Sequence, residues 1–438
     1  MTTVASPSRQ TGNTTGRLPA GSRLVIGRAA VVAPAPAGAP SLPRDAPVAA
    51  SRLVVPSVVL LLLGSSQVSA GRLGRLVELD EGQVAFFLNV VQYAPAALLA
   101  AWALHSRRSS AVLAPWMVLG GVLAVSATWS LAPLDSLQAG LLTALTGLVA
   151  ARAAQLSTRS WLVASTSALA LVVVASLYAD LVLTDNRYDP VVGLFDTRNE
   201  LARHCAFTLV VAVGCAVAAR GRAARVIAVV GIVSSGWGLW ISESATALIA
   251  VVVAAAAATL PTVVRRTSLA LRVVLVAWLG PLAGAVAVTQ TPAVLALLGR
   301  DASLTGRTQI WALAFDALAG RPALGYGADA FWTSSYGDRL RLTFGDSAIH
   351  AHNAWIDLVL ALGVLGGSVV TVLLVVLVVR GLGRGAPLRG ALTHLLVAVL
   401  ALQLSYSLSE SALVRPMFGL TIVTLVLLIQ HGNGRRRA

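Results

Sequence analysis

Two short groups of residues in this chain have the types and spacing that chemistry needs. The first is Thr305-Gly-Arg307-Thr-Gln-Ile-Trp311. Thr305 can cap a helix running to about Ala319, which puts Arg307 in its first turn. A cation there is mildly unfavourable by itself, because the helix dipole is positive at that end. Together with the free N–H groups, however, it makes an anion site that suits phosphate. The second group is His350-Ala-His352-Asn353-Ala-Trp355. A histidine titrates near neutrality, so it can take the proton of an attacking hydroxyl. Asp357 shares a helix face with Asn353 and can orient a polar network there. Histidines at i and i+2 can also ligate a metal, but no third ligand is evident, so no metal is expected. The plainer readings are an arginine in a polar loop, and interfacial polar residues beside a Trp355 membrane-belt anchor. Further polar groups collect at helix ends: Ser242-Glu243-Ser244, Ser409-Glu410-Ser411, Arg415, and Asp196, Arg198 and Asn199 with Arg203.

The elements that must position these groups are hydrophobic. The 438 residues are 57% hydrophobic and 12% charged, against about 25% charged in soluble domains. About 20 apolar residues cross a bilayer core. Uncharged runs give twelve candidate spans, near 53–70, 84–104, 111–131, 137–156, 161–182, 205–219, 226–242, 245–261, 272–290, 354–379, 391–409 and 416–430. Each must be a helix, because lipid satisfies no backbone polar group. The expected fold is therefore an all-α polytopic membrane protein. It divides into a cytoplasmic tail at 1–50, too poor in apolar residues to fold, a transmembrane domain at 51–430, and a basic cytoplasmic tail at 431–438.

Every basic residue is arginine, and the formal net charge is +15. With twelve spans and both termini cytoplasmic, 22 of the 33 arginines fall inside, and of the 18 acids only Asp45 does. That sorting is the positive-inside bias of a cytoplasmic (inner) membrane protein. It excludes a nucleic-acid reading of the basic balance and leaves membrane lipid as the partner of the surface arginines. Two connections outside are long, 183–204 and the extracytoplasmic loop 291–350. Long ordered loops usually carry function. In the second, Trp311, Phe315 and Leu318 form an apolar stripe, Gly320-Arg-Pro322 ends the helix, and Gly325-Tyr-Gly327 makes a turn. Cys205 and Cys215 lie too far apart along one helix to bond. No acid lies at mid-membrane, which argues against a coupled transporter or flippase.

The stretch GRTQIWALAFDALAGRPALGYGADAFW (306–332), followed by AHNAWIDLVLALGVLGG (351–367), resembles the signature of the O-antigen ligase and Wzy-type polysaccharide polymerase family. The pattern is an Arg, a Trp, P-x-x-G-x-G, and a His-Asn opening a helix that continues to G-x-x-G. TRNELA (197–202) and ISESATAL (241–248) are consistent with it. The resemblance implies a glycosyltransferase C type fold. It also implies transfer of a glycan from undecaprenyl pyrophosphate to an acceptor sugar hydroxyl of a glycan or lipid-glycan, with no cofactor and no metal. Arg307 and His352 would be the catalytic pair, at pyrophosphate and acceptor respectively. His350, Asn353 and Trp311, with Arg198, Arg203 and Arg415, would line the substrate. One position departs from the family: Ala245 stands where a basic residue is usual, so a neighbouring arginine would have to substitute, or activity is altered or lost and the chain is an assembly partner.

Overall fold

The computed structural model describes residues 59, 62, 68–88, 90, 113–153, 158–183, 191–266, 307–344, 350–382, 391–408 and 410. They belong to one unit, Pro47–Ala438. Among them the regular structure is helical throughout, with no strand. The named helices are α1 (Ala70–Val77), α2 (Leu113–Val125), α3 (Pro133–Ala153), α4 (Thr158–Leu183), α5 (Arg198–Ala218) and α6 (Arg222–Ile241). They continue with α7 (Ala245–Arg266), α8 (Arg307–Gly320), α9 (Ser335–Phe344), α10 (Ala354–Leu382) and α11 (Ala391–Ser407).

Among the described residues, five stretches are long and apolar enough to cross a membrane: Arg159–Leu183, Arg198–Ala218, Arg222–Ile241, Ala245–Thr262 and Ala354–Leu373. This is an integral membrane protein. The expected spans 272–290 and 416–430, and most of 53–70 and 84–104, lie outside the described residues, as do Thr305, Arg415 and both tails. Several serine and threonine hydroxyls within the spans bond to their own helix, as Thr208 Oγ1 does to the His204 carbonyl at 2.7 Å. That is the arrangement a lipid surround demands.

Close helix approach rests on small residues. Gly120 and Gly140 lie where α2 meets α3, and a Cβ on Gly140 would come within 2.5 Å of the Ala124 nitrogen. Gly238 of α6 receives the Cys205 sulfur of α5. Small residues let backbones pack where no hydrophobic drive separates helix from lipid. Both cysteines are buried and free, as their spacing requires. Helix α11 packs on α7 and α5, and α4, α5 and α6 pack mutually.

Two expected boundaries differ. The 183–204 connection is shorter, because α5 starts at Arg198 rather than near 205. The reason is local: Thr197 and Glu200 form a capping box, with the Thr197 hydroxyl accepting the Glu200 N–H and the Glu200 carboxylate accepting the Thr197 N–H, each at 3.3 Å. The second difference concerns 307–344, which is more than a loop. It builds its own small core from Ile310, Ala314, Tyr326, Phe331, Trp332 and Leu340, closed by Ala351 and Leu360. The buried line of α8 is Ile310 and Ala314, flanked by Trp311 and Leu318, while Phe315 is 55% exposed. Phe315 lies about 100° around the helix from Ala314 and faces away from that core, where an apolar stripe can meet the membrane.

Candidate active site

The ends of three helices meet around one carboxylate. Helix α8 begins with Arg307, α10 begins just after His352 and Asn353, and Glu410 follows the last turn of α11. The Arg307 guanidinium NH2 lies 3.4 Å from Glu410 Oε1, and His352 Nδ1 lies 3.4 Å from Glu410 Oε2. His350 Nε2 is 3.9 Å from the same Oε2. The starts of α5 and α7 are joined to each other by Ser244 Oγ, which donates to Asn199 Oδ1 at 3.0 Å. So Arg307 and both histidines are brought together. Arg203 is buried one turn into α5 and near enough to act on His350. Arg198 sits in the first turn of α5.

The His350–Asn353 segment is held from three directions. Trp311 Nε1–H donates to the Ala351 carbonyl at 2.7 Å. Asp357 Oδ1 accepts the Ala351 N–H at 3.0 Å and the Trp332 indole N–H at 2.7 Å. Asn353 caps α10, its Oδ1 accepting the N–H groups of Trp355 and Ile356, and its Nδ2 donates to the Leu408 carbonyl at 3.5 Å. Under these constraints His352 adopts φ +50. A non-glycine residue in the left-handed region costs about 1 kcal/mol or more and persists only where its surroundings over-determine it. Such strain is common at reacting groups.

The glycine motifs position α8 against α10. The span does not run straight through its G-x-x-G, as the sequence pattern implied; it breaks at Gly363 (φ 64, ψ −175). The P-x-x-G-x-G segment fills the break. Tyr326 and Gly327 N–H donate to the Leu360 and Ala361 carbonyls at 2.8 Å, and Val364 N–H donates back to the Pro322 carbonyl at 2.8 Å. Gly325 and Gly327 are also at positive φ (65 and 97), where glycine alone is unstrained. The carbonyl groups that α10 frees at its break are thereby satisfied.

Electrostatics follow from burial. Burial alone would raise the Glu410 carboxyl, yet His352, His350 and Arg307 beside it hold it down at about 2. Burial, then His352, Arg203 and Arg307, push the His350 ring down to about 3, against the opposing pull of Glu410. Glu410 is thus an anion and His350 neutral at ordinary pH.

Glu410 also supplies the third donor that the sequence lacked for a metal: the ligand atoms of His350, His352 and Glu410 lie within 4.8 Å of one another. The donor set nevertheless does not suit a cation. A metal-bound histidine carries its proton on the other ring nitrogen and donates it outward. Here His350 Nδ1 accepts the His352 backbone N–H at 3.1 Å. The neutral ring must therefore carry its proton on Nε2, the very atom that would face the ion. The Arg307 charge beside Glu410 opposes a cation as well.

Residues 207–371, which contain Arg307, His350 and His352, match the family model Wzy_C, O-Antigen ligase. That stretch is similar to this family's domain, and it contains both motifs. The resemblance read from the two motifs is thereby shown. An 87-residue stretch, 19% of the chain, is 33% identical to the exopolysaccharide production protein ExoQ of Rhizobium meliloti (strain 1021). The chain spans about a fifth (20%) of that relative's length. Sequence reasoning singled out Arg307, His350 and His352 by type and motif, and the matched stretch contains them. It placed Glu410 only among polar groups at helix ends. Arg307 and Glu410 lie 103 residues apart, and no periodicity links them.

Proposed function

We propose that the chain is a glycosyltransferase that moves a glycan from undecaprenyl pyrophosphate to an acceptor sugar hydroxyl at the outer face of the cytoplasmic membrane, with both chain termini inside. The observation that carries the reading is the meeting of Arg307 and His352, both within the stretch that matches the O-antigen ligase model, on the buried carboxylate of Glu410. In a glycosyl pyrophosphate the leaving group is already good, so the protein has to neutralise its charge and deprotonate the acceptor. Arg307, at the first turn of α8, suits the pyrophosphate oxygens without a metal. His352 suits the acceptor hydroxyl: its ring takes the proton as the oxygen bonds to the anomeric carbon and the pyrophosphate departs. Attack opposite the leaving group inverts that carbon. The relative's name, an exopolysaccharide production protein, favours a polymerase over a ligase.

Arg203, buried near the same cluster, and Arg198 are the cations that take the place of the one missing at Ala245. The test is separate replacement of Arg307 and His352 by alanine in the producing cell. Cell-surface polysaccharide is measured at matched protein level. Loss of polymer in both is expected; normal polymer in both sinks the reading.

A further inference from the structure

We propose that Glu410 is a positioning residue with two partners: it holds His352 Nδ1 as the N–H, so that Nε2 is the basic atom, and it occupies Arg307 until the donor's pyrophosphate displaces it. The inference rests on the function proposed above and deepens it. Three features of the cluster support it.

First, the two carboxylate oxygens are divided. Oε1 faces Arg307 and Oε2 faces His352, each at 3.4 Å. One rigid group therefore touches the anion-binding cation and the base at once. Second, His352 Nδ1 is fully buried while 19% of the side chain stays exposed. The exposed part of the side chain therefore excludes Nδ1, which leaves Nε2 as the ring nitrogen that can reach an acceptor. A carboxylate on Nδ1 fixes the tautomer with its lone pair on Nε2 and stabilises the imidazolium formed after proton transfer. Third, the neighbouring ring cannot take over the role. His350 Nδ1 is engaged by the His352 N–H, so its remaining N–H also turns to Glu410.

In the transfer step, the acceptor O–H proton goes to Nε2, the acceptor oxygen bonds to the anomeric carbon, and the bond to the pyrophosphate oxygen breaks. The leaving anion remains on Arg307. Glu410 gains and loses no atom; it releases Arg307 to the donor and keeps its hold on His352.

A residue that is only a latch would weaken binding and turnover together. A shared counter-ion splits them. The probe is undecaprenyl pyrophosphate, titrated onto the full chain in lipid nanodiscs, alongside polysaccharide made by cells carrying each variant at matched protein level. Glu410→Gln frees Arg307, so the probe binds about threefold tighter, while polymer falls on the order of 10²-fold. Glu410→Asp keeps the charge, and restores at least a tenth of the polymer with binding near wild type. His352→Gly removes the other partner without strain at φ +50. Glu410 then binds Arg307 more firmly, and the probe binds more weakly although no phosphate contact is lost.

Glu410→Gln binding no tighter than wild type, or making normal polymer, overturns the inference. If Glu410→Gln does not insert stably, unchanged or tighter binding by His352→Gly overturns it alone. Arg307→Ala separates the two levels: if it binds the probe as well as wild type, the donor reading itself falls. If it binds weakly while the Glu410 split is absent, only the role of Glu410 falls.

Discussion

The N–H of Val364 donates to the carbonyl of Pro322 at 2.8 Å, across a break in α10 at which Gly363 adopts φ 64. A turn segment of the 307–344 unit is thus hydrogen-bonded into the break of a membrane helix. The bond ties the element that bears Arg307 to the element that follows His352. Their separation is set by backbone hydrogen bonds rather than by side-chain packing alone.

Gly363 is the residue this junction cannot replace. A Cβ there would overlap the Ala323 carbonyl. Gly363→Ala should therefore lower stability by about 3 kcal/mol or more, from strain and overlap together. Gly367→Ala is the control, since its Cβ would meet Val359 Cγ2 at 3.5 Å, an ordinary contact. Thermal melting of both variants in detergent checks it. Equal midpoints would show that the junction does not bear on stability.

How much of this was legible in the sequence differs by residue. Arg307 and His352 stand out because charged and titratable groups are scarce in an apolar chain. The Thr197-x-x-Glu200 capping box was on the page as well, yet the hydropathy of the span drew the helix start past it. The break at Gly363 was hidden, because a glycine in an apolar run reads equally as a helix-packing site. Glu410 was hidden for another reason. Its meaning comes from partners as far as 103 residues away, and only tertiary packing joins them.

Trp332 and Asp357 offer a second measurement. The indole N–H donates to a carboxylate that is 5% exposed. Trp332→Phe keeps the ring against Phe331 but removes a donor from a buried carboxyl group, at a cost of about 1–3 kcal/mol. Asp357 also anchors Ala351 through its N–H. The loss should therefore loosen the His350–Asn353 segment. Hydrogen exchange at the Ala351 and His352 amides is expected to speed up, with the α5 core unchanged. Unchanged exchange there would mean that Asp357 does not position the segment.

Acid should destabilise the protein in a definite window. The His350 ring is held down to about 3 from an ordinary 6.5, so between those values the unfolded chain takes up a proton that the folded one refuses. Stability then falls as pH falls from about 6.5 toward 3. Glu410, held at about 2 against an ordinary 4.5, adds a second loss that begins only below about 4.5. The groups facing His350 are His352, Glu410, Arg203 and Arg307. Melting midpoints from neutral pH downward measure it. His350→Gln should flatten the upper part of the curve and leave the lower part. An unflattened curve would place the acid sensitivity elsewhere.

Arginine, rather than charge alone, is predicted to matter at 307. A guanidinium presents parallel N–H groups that match two phosphate oxygens, whereas an ammonium is a point charge. Arg307 is also the first residue of α8, with only 15% of its side chain exposed and its NH2 3.4 Å from Glu410. Arg307→Lys preserves attraction to Glu410 and should leave melting nearly unchanged. It should still lower polysaccharide output by about tenfold or more, because the departing pyrophosphate loses a bidentate partner as its charge develops. Arg307→Ala should lower output further and also release Glu410 toward His352. Output measured at matched protein level separates the two variants. Full output from Arg307→Lys would show that a positive charge suffices there, and that the donor is held by other groups.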